Sequence, residues 1–151
     1  MQIRNAYQDE AEMLGAIAIQ SKAHWGYSQE FIDACRQELT YAADDIRHGC
    51  FVVIEAEERV QGFYSLARIS STEVELDALF VRPEAIGKGF GRVLMEDAKG
   101  RAKSWGAQIM TIQADPNALQ FYKAAGAEQI GNSESGSIPG RQLPLLAIAL
   151  Q

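Results

Sequence analysis

The stretch Leu79-Phe80-Val81-Arg82-Pro83-Glu84-Ala85-Ile86-Gly87-Lys88-Gly89-Phe90-Gly91-Arg92 constrains the fold more than any other part of the chain. An apolar run that reads as a buried strand enters a glycine turn and passes directly into a helix. Glycines let backbone amides approach an anion without Cβ obstruction. The helix start adds unpaired N–H groups and about half a positive charge. Arg82, Lys88 and Arg92 supply full charges. This order of elements specifies a phosphate or pyrophosphate cradle, although a tight strand-to-helix connection without a ligand would use the same glycines. Two familiar cradles do not fit. A Walker loop needs Ser or Thr after Gly-Lys, and Gly89 follows Lys88. A dinucleotide fingerprint needs a small residue where Arg92 or Leu94 stands.

Composition narrows the class. The 151 residues carry 14 Lys and Arg against 20 Asp and Glu, a net charge of −6, and 47% of them are hydrophobic. That length predicts one domain over residues 1–151 with a real core. It excludes disorder, collagen and a disulfide-stapled miniprotein. The charge is uneven: residues 1–81 hold 6 basic and 14 acidic groups, whereas residues 82–103 hold 6 basic and 3 acidic. An acidic chain with one basic island argues against general nucleic-acid binding and for an anion held at the island. Cys35 and Cys50 form no C-x-x-C pair and read as free thiols of a cytoplasmic protein. No signal-like or membrane-spanning apolar run is present, so no membrane partner is expected.

The pattern along the chain predicts a first strand over Ile3 to Ala6 and a helix from Asp9 to Lys22. Ser28 caps a second helix carrying Phe31, Ile32, Cys35 and Leu39. Cys50 to Glu55, Val60 to Arg68 and Val74 to Val81 read as antiparallel strands. A helix over Phe90 to Trp105 and a strand over Ile109 to Gln113 follow. Asp115-Pro116 opens a short helix that ends at Gly126. Ala127 to Ile130 and Leu143 to Leu150 are the last strands, and Gly131 to Gly140 is a polar loop. His48-Gly49 closes a turn. The order predicts a mixed α/β sheet with helices on its faces.

Gly87-Lys88-Gly89-Phe90-Gly91-Arg92, behind Arg82-Pro83-Glu84, resembles the acetyl-coenzyme A loop of the GNAT N-acetyltransferase superfamily. The family pattern is Gln or Arg, two residues, Gly, one residue, Gly or Ala. Gly89 and Gly91 match it, and Ile86 stands where Gln or Arg is usual. A second stretch, Asn117 to Ala127, resembles the family's Asn…Phe-Tyr…Gly-Phe helix, with Phe121, Tyr122 and Gly126 in place and Ala127 replacing the aromatic. The resemblance implies a mostly antiparallel sheet flanked by helices on both faces, with strands splayed beside the one ending at Val81. It implies acetyl-coenzyme A as acyl donor, without a metal, and a small amine or peptide as acceptor. The cofactor would lie against Leu79, Phe80, Val81, Ile86, Gly87, Lys88, Gly89, Phe90, Gly91, Arg92, Asn117, Phe121 and Tyr122.

Acetyl transfer to an amine demands a base, because neutralising an ammonium of pKa near 10.4 at pH 7 costs roughly 4–5 kcal/mol. Glu75, on the strand entering the glycine loop, resembles the family's catalytic glutamate in placement. Asp77 shares its face by the two-residue strand period and would raise its pKa or attract a cationic acceptor; Glu73 lies farther from the loop. Tyr122 resembles the family's acid and would donate to the departing thiolate. Asn117 competes with Asp115 as helix cap. In similar proteins the break holding His24, Trp25 and Tyr27 walls the acceptor pocket, where an aromatic face can take an ammonium. No Cys or Ser stands in an activated triad, so attack is expected to be direct. A catalytically silent acyl-coenzyme A sensor is the alternative to the enzyme. A protein amine is the alternative to a small acceptor, and an open groove beside Trp25 would favour it. The apolar strand Leu143 to Leu150 is a candidate homodimer surface.

Overall fold

A computed structural model describes all 151 residues, Met1 to Gln151. Seven strands form one sheet: β1 (Gln2–Asn5), β2 (Cys50–Ala56), β3 (Arg59–Arg68), β4 (Glu73–Val81), β5 (Ile109–Gln113), β6 (Glu128–Glu134) and β7 (Gln142–Ala149). Their spatial order is β1-β2-β3-β4-β5-β7-β6, antiparallel throughout except for β4 beside β5. Helices α1 (Ala11–Ala23), α2 (Gln29–Cys35) and α3 (Ala43–His48) precede β2, and α4 (Phe90–Ser104) and α5 (Leu119–Ala124) flank β5.

Each sheet face builds its own core. Val52, Tyr64, Leu76, Leu94, Met95 and Ile112 belong to the larger one, under α4 and α5. Leu14, Ile17, Val53, Phe63 and Ala78 belong to the smaller one, under α1. Tyr64 is fully buried, yet its hydroxyl donates to Asp97 Oδ2 at 2.6 Å and accepts from Arg101 Nε at 3.1 Å, which locks α4 to β3. Burial of this phenol is therefore compatible with its polarity.

Two irregularities in β4 and its partners position the site. Ser65 pairs with Ala78 and Leu66 with Leu76, so Asp77 is an extra residue in β4. This β-bulge rephases the strand. Before it, Val74 and Leu76 face the α4 core; after it, Leu79 and Val81 do, while Ala78 and Phe80 turn to the α1 side. The second irregularity is the splay that the family resemblance implies. β4 pairs with β5 only from Glu73 to Glu75, and β5 continues to Gln113 against β7 alone. The edge of β4 from Leu76 to Val81 thus has a partner on the β3 side only.

Several boundaries differ from the sequence expectation. Residues 43–48 form a helix rather than a simple turn, with Asp45 Oδ2 accepting from the Ala42 N–H at 2.7 Å. The second helix stops at Cys35, and Leu39 is buried in the turns beyond it. Glu128 to Glu134 is one continuous strand, whereas the sequence pattern predicts a loop from Gly131. As an edge strand it is mostly exposed on both faces and shows no apolar alternation. The apolarity of β7, which pointed to a dimer surface, has an internal cause: β7 lies between β5 and β6 and pairs with both.

Candidate active site

A cavity of about 600 Å³ opens between the free edge of β4, the start of α4 and α5. Leu79, Phe80, Val81, Ile86, Gly87, Gly89, Phe90, Gly91 and Arg92 line one end, with Asn117, Phe121 and Tyr122 across from them. The first helical hydrogen bond here runs from Val93 N–H to Gly89 O at 3.2 Å, so the amides of Gly89 to Arg92 lack a partner four residues back. Gly87 and Gly89 hold φ of +88° and +89°, and a Cβ at either would meet no protein atom within 4 Å. Open space above left-handed glycines at a helix start is the geometry an anion cradle requires. Gly91 has a different task. A Cβ there would come within 3.3 Å of the Phe121 ring, so this glycine lets α4 approach α5.

The basic trio divides. Arg92 lines the cavity. Arg82 donates from Nε to Val60 O at 2.7 Å and braces the β3–β4 pair instead. Lys88, expected at the cofactor, lies outside the lining, exposed and 3.7 Å from Glu57. Its backbone N–H donates to Ala85 O at 3.3 Å.

Glu75 and Asp77 line the other end of the same cavity. Burial lifts the Glu75 carboxyl above the ordinary glutamate range, and the neighbouring Asp77 and Glu73 charges lift it further. Tyr122 is 7% exposed, lines the cavity, and has its phenol pushed up by burial and by the Asp115 charge. It stays protonated across the physiological range. A phenol so raised is a poorer proton donor to a thiolate and remains a hydrogen-bond donor.

Of the three aromatic residues in the break, Trp25 alone lines the cavity; it is 43% exposed, at the rim. His24 packs edge-on against Trp25 outside the lining. Tyr27 stacks on Phe31 with ring centroids 4.1 Å apart, and its face is already covered. Its hydroxyl donates to Asp115 at 3.0 Å and accepts from Arg141 Nη2 at 3.0 Å and Asn117 Nδ2 at 3.0 Å. These contacts make Tyr27 a brace for Asp115 beside the cavity. Asp115, not Asn117, caps the short helix, accepting the Asn117 N–H at 2.8 Å.

Residues 12–127 match the Acetyltransferase (GNAT) family. This chain belongs to that family. The GNAT protein is therefore an acetyl-coenzyme A-dependent N-acetyltransferase acting on an amine, not a silent binding module. It is 30% identical to the peptidyl-lysine N-acetyltransferase YjaB of Salmonella typhimurium, over 95% of this chain and 94% of that one. Against the protein of the same name in Escherichia coli the identity is 29%, over 97% and 95%. Among solved structures, the PaiA N-acetyltransferase of Thermoplasma acidophilum in complex with coenzyme A shares the fold, with a TM-score of 0.80, 22% identity and 98% of each chain covered. No helix of the GNAT protein is long and apolar enough to cross a membrane.

One cluster in this GNAT site has no signature in the sequence. Asp115 gathers Lys22 Nζ at 2.7 Å, Tyr27 and Asn117, and Arg141 joins through Tyr27. The Lys22–Asp115 pair spans 93 residues of chain, so no local spacing signals it. Glu38 is likewise invisible in the sequence. It lines the cavity and accepts from the Ser137 hydroxyl, which ties the β6–β7 loop to the segment after α2.

Proposed function

We propose that the acceptor is a lysine-type ε-ammonium and that the transfer is a direct attack organised by Glu75, Asp77 and Tyr122. The observation that carries this reading is that all three line one cavity, along which the edge of β4 is free beyond Glu75. Glu75 accepts the proton of the incoming ammonium; its raised pKa brings it nearer the working pH, where a base is most effective. The amine nitrogen then forms its bond to the acetyl carbon as the carbon–sulfur bond breaks. Free amides on the Leu79 to Val81 stretch hold the carbonyl oxygen, an oxyanion-type role. Tyr122 hydrogen-bonds the departing sulfur, which leaves as the thiol on taking a proton from Tyr122 or solvent, and the second proton that the nitrogen loses as the amide forms passes to solvent or back to Tyr122, so the charge balances. The Gly87–Arg92 turn holds the diphosphate through its amides and Arg92.

The lysine-type acceptor is supported by the names of the two curated relatives and by a half-exposed Trp25 at the rim, past which a long side chain can reach. The test is thiol release from acetyl-coenzyme A with lysyl peptides and small amines, in the native protein and in Tyr122→Phe. Native turnover should fall roughly 100-fold in the variant with cofactor affinity retained. Near-normal kcat in Tyr122→Phe removes its assigned role, and silence toward every ε-amine removes the acceptor class.

A further inference from the structure

A second chamber of about 360 Å³ lies on the α1 side of the sheet, floored by β2 and β3 and walled by the segment from Glu38 to Gly49. Glu38 and Asp77 line both it and the main cavity, so the two spaces meet at these carboxylates. Asp45 stands on the far wall. None of the three is in an ion pair; every Lys and Arg engaged in one is held by another carboxylate. Glu38 takes only the Ser137 hydroxyl, and Asp45 uses one oxygen on the Ala42 N–H. Their charges converge on Tyr41, whose phenol is pushed up by burial and by Asp77, Glu38 and Asp45.

An independent observation marks the same space. Ser65 lines the chamber and is 3% exposed, and its Oγ is the molecule's buried side-chain polar atom without a hydrogen-bond partner. A buried hydroxyl left unpaired costs free energy unless something else satisfies it. No three acidic, His or Cys side chains converge closely enough to hold a metal ion. An unpaired hydroxyl beside uncompensated carboxylates suits an organic cation with several N–H donors, such as an ammonium.

We propose that this chamber is a subsite for a second ammonium of the acceptor, held by Asp45, Asp77 and Ser65 while the first ammonium reacts beside Glu75. The inference rests on the acceptor reading above and narrows it to dibasic amines. The charge can come from a free diamine or from a basic residue next to the acetylated lysine.

Calorimetric titration of the protein's coenzyme A complex tests this without requiring turnover. The probes are 1,5-diaminopentane against n-pentylamine, and Nα-acetyl-Lys-Lys-amide against Nα-acetyl-Lys-Ala-amide. At least one dibasic probe should bind fivefold or more tightly than its monobasic partner, and the pair showing the preference identifies the source. Asp45→Asn, whose amide oxygen can still accept from Ala42, should at least halve that ratio, as should Ser65→Ala. Ratios below fivefold in both pairs, or a ratio that both variants leave unchanged, overturn the subsite. Failure of the acceptor reading is separate: no amine would then release thiol, whatever the binding ratios.

Discussion

Glu75 is the residue whose chemistry depends most on its neighbours. Burial and the Asp77 charge raise its pKa, so on acidification it gains its proton sooner than an ordinary glutamate. With Glu75 as the proposed base, activity should fall as pH drops through that raised value, placing the acidic limb of kcat/KM above the usual glutamate range. Glu75→Gln should abolish the limb and lower kcat roughly 100-fold. Asp77→Asn removes a repelling charge and should move the limb to lower pH. A limb unchanged in both variants assigns proton removal to another group. At the glycine turn, Gly89→Val must adopt φ near +89°. It should cost about 1–2 kcal/mol in stability and sharply weaken acetyl-coenzyme A binding, read by chemical denaturation and by titration.

Among the elements, the β3–β4 pair is the most sterically constrained. A Cβ on Gly62 would sit 2.6 Å from Phe80 O and 3.2 Å from Val81 Cα, both backbone atoms. Gly62→Ala should therefore destabilise by about 1–3 kcal/mol and disturb the β4 edge that faces the cavity, visible as a lower Tm and weaker cofactor binding. The β2–β3 turn has slack. Glu57 and Glu58 hold φ of 56° and 64°, a conformation that an Asn-Gly pair adopts readily. The double substitution Glu57→Asn with Glu58→Gly should raise stability by about 1 kcal/mol without touching the site, measured by urea unfolding. The strand entering the glycine turn, the α4 start and the short helix at Asp115 were legible because each carries a local signal: alternation, glycine or a capping residue. α3 and the outer half of β6 were not. The first is too short to show periodicity, and the second is an exposed edge with no apolar face to reveal it.

On the scale of the whole molecule, the Asp115 cluster joins α1, the segment before α5 and the loop entering β7 at the cavity wall. Its Lys22 and Asp115 side chains are 16% and 13% exposed, so removing one leaves a poorly solvated charge behind. Asp115→Ala should cost about 3 kcal/mol, and Lys22→Met in the same background should restore part of it, read as a double-mutant cycle in denaturant. If the cycle shows no coupling, the pair contributes nothing to holding that wall together. The sequence alone determined the glycine turn before α4, most of the order of strands and helices, and the family resemblance, because these follow from short-range spacing: glycines before a helix, a two-residue strand period, a proline after its cap. The tertiary structure alone decided that Arg82 and Lys88 stand away from the cavity, that Tyr27 braces Asp115, and that β7 is apolar because it is interior. It alone brought Glu38, Asp45 and Asp77 to one space around Ser65. Contacts between segments far apart in the chain depend on the sheet's register and the bulge at Asp77, and no local pattern of residue types encodes them.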